Sequence, residues 1–223
     1  MKIINSLQDV ILQNFGKCPG SNQFYLTGGT ALALFYLRHR KSNDLDFFTS
    51  VGEAILPFSE DLEKNLKTFG QVRRQRAAFS FVELFIEQEE EKTLIHLAQD
   101  SAFRFERTRQ FPEYPGLAVD NLSDISSNKL LALFGRAALR DFIDIFFLVK
   151  RAGLSPETLI QQAKQKDPGF DLYWLGVALE RVHTFEENSS EWLMLLEPIS
   201  FLEFKSFFND WRQKILEKID NKR

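Results

Sequence analysis

The chain has 223 residues, 44% of them apolar, and sets 28 Lys and Arg against 31 Asp and Glu for a formal charge of −3. That length can bury one sizeable core or divide between a catalytic half and a helical half, and the near-balanced charge gives no global attraction to nucleic acid or to an anionic membrane. A single cysteine, Cys18, excludes an intramolecular disulfide; the N-terminus lacks the apolar core of a signal peptide and no apolar run approaches the roughly 20 residues of a membrane span, so the expectation is a cytoplasmic protein with no membrane partner.

Residues 2–16 place Ile4, Leu7, Ile11 and Leu12 at helical spacing, with Gly16 as a stop. Phe24-Tyr25-Leu26 leads into the turn Thr27-Gly28-Gly29-Thr30, and residues 31–37 read as a short buried helix. A basic loop, Arg38-His39-Arg40-Lys41, then meets Asp44-Leu45-Asp46-Phe47-Phe48, whose alternation of acid and apolar side chains predicts a strand. Residues 59–68 read as an amphipathic helix, and 78–87 and 92–98 as two strands, so the first half is a small mixed sheet with helices on it. The stretch 111–127, with its prolines and glycine, is the candidate linker. From Ser126 to Lys150, and again from Ser155 onward, the pattern is helical, broken near Asp167-Pro168-Gly169 and Asn188-Ser189-Ser190. The fold class is therefore mixed α+β, with a catalytic domain over 1–115 and a helical bundle domain over 116–223. The 23 phenylalanines and the three tryptophans, Trp174, Trp192 and Trp211, are expected to serve packing.

On a strand, Asp44 and Asp46 project from one face. Two carboxylates side by side repel unless a cation neutralises them, and oxygen-only ligands suit Mg²⁺ or Mn²⁺ better than zinc. Paired ions of that kind activate a hydroxyl and stabilise a leaving pyrophosphate. The plain alternative is a solvated strand edge. Upstream, Gly28-Gly29-Thr30 lets backbone approach a phosphate at the start of a helix, or is simply a turn; it matches neither the dinucleotide fingerprint nor the Walker A pattern. Downstream, if residues 128–144 form one continuous helix, Lys129, Arg136, Arg140 and Asp144 fall within about 80° of arc in otherwise apolar surroundings. Charges so placed either pair with one another or face a polar ligand such as a triphosphate. A helix break near Gly135 would instead put Asp141 near a helix start.

Leu26-Thr27-Gly28-Gly29-Thr30-Ala31-Leu32 followed by His39-Arg40-Lys41-Ser42-Asn43-Asp44-Leu45-Asp46-Phe47-Phe48 resembles the first motif of DNA-polymerase-β-like nucleotidyltransferases. Lys129-Leu130-Leu131-Ala132-Leu133 and Arg140-Asp141-Phe142-Ile143-Asp144 resemble the later motifs of the AbiEii/AbiGii-like abortive-infection toxins. The likeness covers residues 22–150 and extends to the helical remainder only in general character. It implies a polymerase-β-like core and a transferase that moves a nucleotide from a nucleoside triphosphate to an acceptor, with Mg²⁺ or Mn²⁺ on Asp44 and Asp46. It further implies a toxin that acts on tRNA or another RNA, with a cognate antitoxin as partner. Carried over, the catalytic positions are Asp44, Asp46, Lys129, Asp141 and Asp144, and the nucleotide-binding positions Gly28, Gly29, Thr30, Arg40, Ser42 and Arg140. One departure stands out: the strand Thr93-Leu94-Ile95-His96-Leu97-Ala98 offers His96 where related enzymes place a third carboxylate. His96 is then a neutral base or an ordinary strand histidine, with Asp141 or Asp144 completing the site. The missing acid also motivates a competing expectation, a non-catalytic nucleotide- or partner-binding module on the same fold. Two basic clusters, Arg73-Arg74-Gln75-Arg76 and Arg104 to Arg109, either guide an RNA acceptor or are solvated surface charge.

Overall fold

The structure, a computed structural model, describes residues 2–221 and falls into two compact units, one up to Asp124 and one from Ile125. In the first unit, α1 (Ser6–Phe15) opens on a capping box: Asn5 accepts from the Gln8 N–H and the Gln8 side chain accepts from the Asn5 N–H. Glu91 reinforces this end by accepting from the Ser6 and Leu7 N–H groups, an anion set on the positive pole of the helix. Strand β1 (Tyr25–Thr27) passes into α2 (Gly28–Ala31), which runs on as a π-helical stretch over Leu32–Leu37. There follow β2 (Asp44–Thr49), α3 (Ile55–Leu66), β3 (Gln71–Ala78), β4 (Phe81–Gln88), β5 (Glu91–Gln99), β6 (Arg109–Gln110) and β7 (Ala118–Val119).

These strands form one mixed sheet in the order β3-β4-β5-β2-β1-β7-β6, with β2 parallel to β5, β1 parallel to β7, and the other neighbours antiparallel. One face is dry. Leu45 and Phe47 of β2, Ile95 and Leu97 of β5, and Val82, Leu84 and Ile86 of β4 are fully buried there. They meet α1 and α3, whose Phe15 stacks on Phe47 at 3.8 Å between centroids and meets Phe58 edge-on. The opposite face carries Asp44, Asp46, His96 and Glu83, the half-buried alternates of the same strands.

Two departures from the expected first half have clear causes. Strand β3, Gln71–Ala78, was not foreseen as a separate strand because its arginine-rich sequence has no apolar alternation: it is an exposed edge strand held by ladder bonds and charge pairs. The expected linker contains β7, which pairs with β1 through Leu26 and Val119, and at Leu122 the chain is already helical. Asn121 accepts from the Asp124 N–H at that helix start.

The second unit is helical. It contains most of α4 (Leu122–Arg136), then α5 (Leu139–Lys150), α6 (Pro156–Lys166), α7 (Leu172–Glu180) and α8 (Phe201–Asp220). Ser155, Asp171 and Ser200 cap the last three of these through side-chain oxygens. Phe142 packs edge-on against Phe208 at 4.7 Å and Phe204 against Phe208 at 5.2 Å, an aromatic core that also takes in the buried Trp211. Trp174 departs from the expected packing role: on α7 it is 59% exposed, beside the exposed Tyr173 and Val177.

Candidate active site

The register of the sheet aligns one side chain from each of five strands. Thr27 lies opposite Asp46, Asp46 opposite His96, His96 opposite Glu83, and Glu83 opposite Arg76. Within this row His96 bridges two acids, with Nδ1 2.8 Å from Asp46 Oδ1 and Nε2 3.2 Å from Glu83 Oε2. Burial disfavours a charge on the ring, but the Asp46 hydrogen bond and the charges of Asp46, Asp44 and Glu83 outweigh it and hold the imidazole above its usual pKa. The protonated ring donates from both nitrogens. Glu83 has no motif around it; only strand pairing shows that it backs His96.

Asp44, two residues before Asp46, lies on the same face, and both are half-buried. The Gly-Gly turn is built against this pair. Gly28 has φ 69°, a left-handed conformation that favours glycine, and an added Cβ would collide with the Asp46 carboxylate. A Cβ on Gly29 would collide with the guanidinium of Arg40, which is buried and donates from Nη1 to the Lys41 carbonyl at 3.0 Å. The Thr30 hydroxyl lies 2.7 Å from that of Ser42 and donates to the Asp44 carbonyl. Gly28, Gly29, Thr30, Arg40, Ser42, Asp44 and Asp46 therefore form one contiguous cluster, and the turn exists as much to admit Asp46 as to present backbone.

The residue before the turn is anchored from far along the chain. Thr27 donates to buried Asp120 at 2.7 Å, the Asp120 N–H donates to the Leu26 carbonyl at 2.8 Å, and the Tyr36 hydroxyl donates to the Asp120 carbonyl at 2.6 Å. Arg104 pairs with the same carboxylate and lies over the Tyr25 ring. Burial pushes the Asp120 carboxyl up, against the opposing pull of Arg104 and Thr27. No periodicity or motif in the sequence marks Asp120 as a support of the turn.

In the second unit residues 128–144 do not form one continuous helix; of the two alternatives, the break near Gly135 is the one present. Ala137 takes φ 47° and Ala138 is extended, so α4 ends at Arg136 and α5 starts at Leu139; the break falls just after Gly135. The charged stripe inferred from one helix therefore does not form. Lys129 pairs with Asp144 at 2.6 Å, and Arg136 grips Asp141 through Nε at 2.7 Å and Nη2 at 2.8 Å. Lys129, Asp141 and Asp144 are buried, whereas Arg140 is exposed on α5. With the helix broken, Asp141 sits in the first turn of α5, where a carboxylate complements the free N–H groups.

Among the described residues, no group of three or more His, Cys, Asp or Glu side chains is arranged to hold a metal ion. Mg²⁺ binds through one or two carboxylates and completes its shell with water and substrate phosphate, and Asp44 and Asp46 present two carboxylates on one face of β2.

The AbiEii nucleotidyl transferase toxin family of type IV toxin–antitoxin systems matches residues 10–215, and the chain belongs to it. An uncharacterized protein of Aquifex aeolicus is 30% identical over 207 residues, 90% of either chain. Solved structures share the fold: a putative nucleotidyltransferase from Helicobacter pylori, 18% identical, gives a TM-score of 0.62 over 97% of this chain and 95% of its own. MenT4, a nucleotidyltransferase toxin of Mycobacterium tuberculosis, also 18% identical, gives 0.57 over 94% and 81%.

Proposed function

We propose that this nucleotidyltransferase is Mg²⁺-dependent, with Mn²⁺ as a substitute, and transfers a nucleoside monophosphate from a triphosphate to an RNA acceptor, a tRNA in particular. The observation that carries this reading is the pair Asp44 and Asp46, half-buried on one face with Gly28 shaped to the second carboxylate. A divalent ion held by Asp44 and Asp46 would offset the charge of the two acids and, through its remaining ligand positions, draw in the phosphate oxygens. Asp44 and Asp46 orient it; Gly28, Gly29 and Thr30 present the turn to phosphate, while Arg40 and Ser42 brace that turn from behind. Lys129, Asp141, Asp144 and Arg140 keep their proposed catalytic and nucleotide-binding roles on the family resemblance. The type IV family implies an antitoxin partner. No helix of the described residues is long and apolar enough to cross a membrane.

The test is incubation of purified protein with total bacterial RNA, Mg²⁺ and each α-labelled triphosphate. Label should enter one RNA size class with wild type, and disappear with chelator and with Asp44→Ala or Asp46→Ala. Undiminished transfer by the Asp44→Ala, Asp46→Ala double variant refutes the assignment, and transfer only to protein or to a small molecule replaces the RNA acceptor.

A further inference from the structure

A second row runs across the polar face of the sheet, one step along from the first. Asp44 lies opposite Leu94, Leu94 opposite Phe85, and Phe85 opposite Arg73. Strand β2 begins at Asp44 whereas β5 begins three residues earlier in this register, at Glu91, so the β4–β5 hairpin overhangs the start of β2. Beneath the overhang is a cavity of about 540 Å³, wholly within the first unit, with Asp44 on its wall. Leu94 and Phe85 supply apolar lining, Asn5, Asn43 and Gln75 amides, Lys92 an ammonium group, and Glu90 and Glu91 carboxylates beside that of Asp44. A lining of one aromatic and one aliphatic side chain ringed by amides and carboxylates suits a nucleobase, whose flat face is apolar and whose edge carries N–H and amino donors.

Position decides which nucleobase. The Gly28-Gly29 turn follows β1, on one side of Asp46, whereas the cavity lies toward β5 and β4, on the other side of the acid pair. In-line displacement at phosphorus puts the attacking and leaving oxygens on opposite sides. With the pyrophosphate end of a triphosphate at the glycine turn, the attacking hydroxyl approaches from the cavity side. We infer that the cavity beside Asp44 receives the unpaired terminal nucleoside of the acceptor RNA, with Phe85 and the Arg73 guanidinium, which lies over its ring at 5.8 Å, as the stacking surface. This rests on the transferase reading above. The basic cluster on β3 divides accordingly: the guanidiniums of Arg73 and Arg76 pair with Glu87 and Glu83 on the cavity's face, and that of Arg74 pairs with Glu63 of α3 on the other. Two guanidiniums, each paired with a glutamate, thus stand on the cavity's side of β3.

The test reads binding as well as turnover. Full-length Phe85→Leu removes the stacking ring but keeps apolar volume, and Gln75→Trp, at an exposed strand position, fills the cavity without touching the core. Binding of a fluorescein-labelled short single-stranded RNA of mixed sequence should weaken about fivefold or more in each, from the ~1–3 kcal/mol that stacking one base contributes. Affinity for a fluorescent triphosphate with Mg²⁺ should stay within about twofold, a change worth only ~0.4 kcal/mol. In turnover, the acceptor KM should rise while the triphosphate KM holds. RNA binding unchanged in both variants, or absent from wild type, overturns the inference; weakening of triphosphate affinity instead assigns the cavity to the donor nucleoside and overturns it too. If wild type transfers no label yet binds RNA through these residues, the transferase reading fails and the cavity assignment stands.

Discussion

Replacing Gly28 with alanine should cost far more in the presence of Asp46 than in its absence. Two terms add. A non-glycine residue at φ 69° bears ~1–2 kcal/mol of backbone strain. The new Cβ also forces the Asp46 carboxylate, whose Cγ is 3.0 Å from the ideal Cβ position, away from His96 Nδ1. Losing a hydrogen bond between charged groups costs ~1.5–3 kcal/mol when buried. Here the side chains are 19% and 27% exposed, so ~1 kcal/mol is the fitting discount. Gly28→Ala in the wild-type background should therefore destabilise by ~2–3 kcal/mol, and in an Asp46→Ala background by only ~1–2 kcal/mol. The assay is urea unfolding of the four proteins of the cycle, read by far-UV circular dichroism, since Trp174, Trp192 and Trp211 all lie in the second unit and not beside Gly28. A coupling of ~1 kcal/mol is expected; additivity within ~0.5 kcal/mol would refute the claim that this glycine is shaped to the carboxylate.

Arg136→Ala should leave the buried Asp141 carboxylate without its bidentate partner and lower stability by ~2 kcal/mol, the half-exposed arginine keeping the loss below that of a fully buried pair; an unchanged Tm would refute this. Phe15→Ala removes the ring stacked on Phe47 and should cost ~3–5 kcal/mol by denaturant titration. Backbone N–H groups of Ser6 and Leu7 hold the Glu91 carboxyl below its ordinary pKa, so its stabilisation is present above the unfolded value and is lost as pH falls through the folded one. Glu91→Gln should thus lower Tm at neutral pH and flatten its fall in mild acid; parallel Tm–pH curves would contradict the assignment.

The acid–apolar alternation from Asp44 to Phe48 made β2 readable, because one wet face and one dry face impose period two on the sequence. The helices from Ser155 onward were readable for the same kind of reason. Strand β3 was not, since an exposed edge position tolerates arginines at 73, 74 and 76 and leaves no run of alternating apolar residues. Gly135 marked a possible break between α4 and α5, but its exact place was not legible: Ala137 and Ala138 are strong helix formers held in non-helical conformations by tertiary structure. Within the site, the Gly-Gly turn and the acid pair were legible as separate motifs. That Gly28 is vacant for Asp46, that His96 links Asp46 to Glu83, and that Asp120 holds Thr27 are facts of register and long-range contact, which no local pattern encodes.

The bond from Thr27 to Asp120 spans 93 positions of sequence. On a ribosome, the glycine turn emerges early and then waits for most of the first unit to be made before its anchor exists. The strand beside it, β7, arrives with that anchor, and the loop closed between them is long enough for its ordering entropy to fall late in folding. An emerging chain therefore holds the acid pair before the turn beside it is anchored, and Thr27 finds its carboxylate only once the first unit is nearly complete.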